Sequence, residues 1–204
     1  MFAFFKKAMP AAEVANELWG GISGNHRVLE LAASALEATA RPDAAALGEI
    51  IYFLGFATDL TIHRVFQHQP ALEAALRDSF LDRLCDYAVA RQCTPCPIGD
   101  WVGDSPNWFI RSPGRDAGDP IQHLDQRFDL YRVATRRPTQ TVLPVIIVLA
   151  ALCRARDIVI FDMEATSLFT DYSSATEELL RQIRVKARKA QKEEEQTEAQ
   201  PHGA

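Results

Sequence analysis

The sequence lacks the patterns that announce the commonest chemistries. It contains no Gly-x-Ser-x-Gly, no Gly-rich phosphate loop leading into a Lys, no His-Glu-x-x-His and no Glu-x-x-His. The spacings that expose a serine nucleophile, cradle a phosphate or gather metal ligands on one helix face are therefore missing. Cysteine is scarce: Cys85, Cys93, Cys96 and Cys153 are irregularly spaced, and no second Cys-x-x-Cys completes a four-ligand zinc set. Met1-Phe-Ala-Phe-Phe5-Lys6-Lys7 places its charge after its apolar residues, the reverse of a secretory signal. The expectation is a cytoplasmic chain with reduced thiols.

Long apolar runs are short as well. Ile50–Ala57 and Val142–Cys153 cover 8 and 12 residues, whereas a membrane-spanning helix needs about 20. Both read as core segments of a soluble protein, with no membrane span. Positive charge is not in excess: 22 Lys and Arg face 27 Asp and Glu, for a net charge of −5. A duplex-binding module concentrates cations on one face, so this balance argues against nucleic acid. No cofactor-binding pattern and no internal repeat are present, so no cofactor is expected.

What is there is helical. Hydrophobic content of 48% and charged content of 24% suit one globular domain. Val28, Leu31, Ala32, Ala35 and Leu36 fall on one stripe of a helix over about 25–40, after a short helix near 11–19. The 44–67 segment is apolar on more than one face, which marks a central helix, and Gly55 in its middle suggests a close crossing. Leu72, Leu76, Phe80 and Leu84 recur every four residues within 70–91. Asp119-Pro120 opens another helix, with Asp as cap and Pro at the first position. Ser174-Ala-Thr-Glu177 has the form of a capping box for the last helix.

The fold class predicted is all-α: an irregular bundle of six or seven helices with a long ordered loop rich in Pro, Gly and Trp. The β-branched residues of 145–161 leave room for a short two-stranded β element there. Residues 1–188 form the domain, and 189–204 a charged, disordered tail. The cations of 181–192 followed by Glu193–Glu195 can pair along a helix but have nothing to bury.

Three groups of residues are candidates for function. Residues 93–120 carry five prolines, four glycines and four aspartates, yet also Trp101, Trp108, Phe109, Arg111 and Arg115. Aromatic and Arg side chains supply a disproportionate share of binding energy at interfaces, so these five are the binding candidates. Asp59 and His63 lie four apart on the central helix, where a carboxylate could tune an imidazole. They are the weak catalytic candidates, set against a half-buried ion pair. Cys93 and Cys96 have redox spacing, but no strand precedes them and Pro97 follows them. They are weak metal or redox candidates, with Cys85 and His123 as the nearest further ligands.

Together these point to a non-enzymatic interaction or regulatory protein that uses the 93–120 loop on a protein partner or on itself, as a homodimer. One alternative is an enzyme or small-ligand binder with a pocket between that loop and the 44–67 helix. The other is a thiol redox or metal-binding protein built on the Cys-x-x-Cys.

Overall fold

A computed structural model of the chain describes residues 10–34, 44–96, 98–102, 105–109, 118–136, 144–155 and 157–198. Among them, seven helices and two strands follow in order: α1 (Ala11–Ser23), α2 (His26–Ser34), α3 (Ala44–Phe66), α4 (Pro70–Ala90), β1 (Ile98–Val102), β2 (Ser105–Phe109), α5 (Pro120–Thr135), α6 (Pro144–Leu152) and α7 (Ile158–Glu198). The protein is mostly helical.

α3 is the centre. It packs against α1, α2, α4, α5, α6 and α7, and residues on all of its faces are buried. Phe53 and Phe56 meet Tyr131 of α5 with ring centroids 5.3 and 5.2 Å apart, Phe56 meets Phe128 at 5.4 Å, and Phe53 meets Phe169 of α7 at 5.4 Å. Burying each such ring contributes on the order of 2–3 kcal/mol. Polar groups within α3 are satisfied locally: the Thr58 and Thr61 hydroxyls donate to Leu54 O and Ala57 O at 2.9 and 2.8 Å. By length and composition α3 is also the one helix among the described residues that could cross a membrane, and 83% of its most apolar window is buried inside the protein.

Gly55 marks the crossing with α4. A Cβ built there would lie 2.5 Å from Leu84 Cδ2, so only hydrogen fits between the two helices. α4 ends in a left-handed residue that is not glycine, Gln92 (φ 51°). Cys93 N–H then returns to Ala88 O at 2.9 Å, closing the turn that sends residues 93–96 across the bundle.

Two expectations need correction. Among the described residues of 145–161 no strand pair forms: Pro144–Leu152 is helix, and Ile158 begins the next helix. With neighbours on every side, the β-branched run packs as a buried helix instead. The antiparallel pairing lies elsewhere, in β1 and β2, with Ile98 opposite Phe109 and Val102 opposite Ser105. The last helix does not start at Ser174. It starts at Ile158, where the Asp157 carboxylate accepts from the N–H groups of Val159 and Ile160, both at 3.0 Å. α7 then runs 41 residues to Glu198, or about 60 Å at 1.5 Å per residue.

Candidate functional site

The most elaborate polar arrangement joins α3, α5 and the 93–96 segment. Arg127 of α5 is 0% exposed and Glu49 of α3 is 3% exposed. The Arg127 Nε donates to Glu49 Oε2 at 2.6 Å, and Nη2 donates to Glu49 Oε1, so the guanidinium forks onto the carboxylate. Its other donors reach His123 O at 3.0 Å and the Thr94 hydroxyl at 3.2 Å, while its carbon lies 5.6 Å from the Tyr52 ring centre. Burial pulls the Arg127 pKa down, but the hydrogen bond and charge of Glu49 outweigh it and hold the guanidinium above its ordinary value.

Cys93 and Cys96 close over this pair. Both are buried, and neither forms a disulfide. The Cys93 thiol donates to Thr94 O at 3.8 Å, and Cys96 N–H donates to His123 Nδ1 at 3.3 Å. Burial pushes Cys96 up to about 12, against the lowering effect of Arg127. Cys93 is raised by burial as well, with Arg127 and Tyr52 opposing. Such thiols are weak nucleophiles, because the thiolate is the reactive form. Among the described residues no three His, Cys, Asp or Glu side chains converge on a common point as metal ligands would. Glu49 faces a cation already.

The spacing of Asp59 and His63 suggests a pair, but the structure turns each to α4. The Asp59 carboxylate, 4% exposed, accepts from Arg77 Nε at 2.6 Å and Nη2 at 3.0 Å. His63, 61% exposed, sits with Nδ1 2.7 Å from Glu73 Oε1. The two are not brought together as a base and its orienting acid.

The binding candidates divide. Arg111 and Arg115 lie outside the described residues, as do the side chains of Trp101, Trp108 and Phe109. The strand register nevertheless fixes positions. Trp101 stands opposite Pro106 and Trp108 opposite Gly99. Cross-strand partners share a face and residues two apart on a strand share it too. Positions 101 and 108 are therefore diagonal neighbours on one face of the ribbon. Position 109 is on the other, with 98, 100, 102, 105 and 107.

Sequence reasoning missed Glu49, Arg127 and Thr94 as a unit. A signal was present in α5: Arg127 lies three residues after Leu124 and four before Tyr131, on the apolar stripe itself. A cation on such a stripe requires a buried anion, and Glu49 and Asp59 are the two acids within the central helix α3.

No family model matches the chain, nor does any curated protein or solved structure.

Proposed function

We propose that this chain is a non-catalytic interaction module whose contact surface is the 93–120 region, presented by the β1–β2 ribbon. One observation carries the reading: the register sets positions 101 and 108 diagonally adjacent on a single face. Tryptophan is among the residues enriched at the energetic centres of interfaces. The base of the ribbon supports it. Residues 93–96 are tied through Thr94 and Cys96 to the Glu49–Arg127 pair and to His123, which gives the ribbon a rigid footing, and rigid presentation lowers the entropy cost of binding. The catalytic candidates support the same reading, since the Asp59 carboxylate is taken up by Arg77 and burial raises both thiols. The partner is a second protein or a second copy of the chain, met in a reducing aqueous compartment.

Sedimentation of the wild type and of the Trp101→Ala/Trp108→Ala variant tests this. The wild type is expected to form a concentration-dependent dimer. The variant is expected to be monomeric with unchanged helicity, since truncating an interface tryptophan costs about 2 kcal/mol or more. A wild type that stays monomeric leaves the surface to a different protein. Equal self-association in both would remove the ribbon from the contact.

A further inference from the structure

Beyond Ile183, α7 continues as residues 184–198, about 22 Å of helix at 1.5 Å per residue. Its charges there are sorted rather than mixed. Arg184, Lys186, Arg188, Lys189 and Lys192 come first, and Glu193, Glu194, Glu195 and Glu198 follow. Pairing along the helix relieves part of this, since Glu193 stands four residues after Lys189 and Glu195 three after Lys192. Arg184 and Arg188 have no acid three or four positions away, and Glu198 has no Lys or Arg at those spacings. Arg184 and Arg188 are four apart and Glu195 and Glu198 three apart, so each end of the segment repels itself.

Positions 184, 188, 191, 195 and 198 recur at intervals of four, three, four and three, so they share one stripe of the helix. The stripe reads Arg, Arg, Gln, Glu, Glu. Turned end for end, it is complementary to itself. When a second α7 lies antiparallel with position 191 against position 191, position 184 comes level with 198, and 188 falls within one residue of 195. Each contact then occurs twice, as an isologous interface requires. The root of the stripe is rich in cations and short of acids. Arg64 of α3 and Arg181 share the Glu177 carboxylate. Arg184 donates its Nη1 to the neutral Val65 carbonyl at 3.0 Å, and its buried Nε has no acceptor among the described residues. A nucleic acid or an anionic membrane fits this stripe less well, because its acidic half repels the phosphates that its basic half attracts.

We propose that the end of α7 is a self-association surface: residues 184–198 of two copies pair antiparallel about Gln191, with Arg184 and Arg188 of each facing Glu198 and Glu195 of the other. The stripe shares no residue with the β1–β2 ribbon, so this contact and the ribbon contact stand or fall separately. Its pairs are ionic, so the association weakens as salt screens them. An apolar contact through the ribbon lacks that dependence.

Sedimentation of the full chain carrying Trp101→Ala/Trp108→Ala, which removes the ribbon contact, tests it. At about 20 mM salt this parent is expected to dimerise, and at about 0.5 M, where charges are screened within about 4 Å, to be monomeric. Arg188→Glu and Glu195→Lys, made separately in the parent, each set like charges together twice per dimer. Each is expected to weaken the association about tenfold, the scale that loss of two ion pairs supports. An equimolar mixture of the two variants restores opposite charges at both contacts and is expected to regain the parent's affinity. Circular dichroism of each variant checks that α7 stays helical. A parent that is monomeric at low salt, variants that associate as tightly as it does, or a mixture no tighter than either variant alone each overturns the proposal. The ribbon is read by comparing wild type with parent at about 0.5 M salt, so failure of one contact leaves the result for the other intact.

Discussion

Arg127 and Glu49, 78 positions apart in sequence, form a forked ion pair with both side chains almost fully buried. Two desolvated charges at the junction of three segments make this a sensitive polar contact. Removing one partner strands the other, at a cost of about 3–5 kcal/mol. Arg127→Met is therefore expected to lower the urea unfolding free energy by about that amount. Adding Glu49→Leu is expected to restore much of it, because no unpaired charge then remains. A double variant as unstable as the sum of the singles would show that the two charges are not coupled.

Gly55 and Leu84 make a steric prediction. Alanine is the better helix former by about 1 kcal/mol, so Gly55→Ala would stabilise an open helix. Here the new methyl would sit 2.5 Å from Leu84 Cδ2, and Leu84 is itself fully buried. The net expectation is destabilisation of about 1–3 kcal/mol. The Gly55→Ala/Leu84→Ala double variant should be less damaged than the two singles predict, as shown by a double-mutant cycle on thermal or urea unfolding.

The two halves of the Asp59/His63 spacing should respond differently. Arg77→Ala leaves a buried carboxylate without its forked donor, at an expected cost of about 1.5–3 kcal/mol, the value of hydrogen bonds to charged groups. His63→Ala removes a side chain that is 61% exposed, and an exposed pair contributes at most about 1 kcal/mol. Matched urea titrations of the two variants separate these outcomes.

Much of the bundle was legible because periodicity reports which face is dry. Leu76, Phe80 and Leu84 are all fully buried as their four-residue spacing implies. Asp119 caps α5 as read, accepting from Ile121 N–H at 3.0 Å, and the Gly55 crossing is real. What failed did so where local pattern is silent. Ser174-Ala-Thr-Glu177 matches a capping box, but Thr176 is buried in mid-helix and Glu177 binds Arg64 of α3 and Arg181. The true start of that helix needed Asp157 to be weighed as a cap. The Glu49–Arg127 pair is tertiary, and hydrophobic periodicity treats both residues as wet. The β1–β2 ribbon was hidden by a segment whose prolines and glycines read as loop.

The buried thiols and phenols predict an alkaline limit to stability. Cys93, Cys96, Tyr52 and Tyr131 are all raised above their ordinary values by burial. Each is therefore protonated in the folded state at pH values where the unfolded chain has begun to release its proton. Stability from such a group is complete below its unfolded pKa and is lost as pH rises toward the folded value. For Cys96 that window runs from about 8.5, the ordinary thiol value, to about 12. Within it each such thiol lowers the unfolding free energy by about 1.4 kcal/mol per pH unit. Urea midpoints should accordingly stay level up to about pH 8 and then fall. Cys96→Ser, which titrates nowhere in this range, should be less stable at neutral pH than the wild type by little, and should fall with a shallower slope above about pH 8.5. Equal slopes in the two proteins would mean that the Cys96 thiol ionises in the folded state as readily as in the unfolded one.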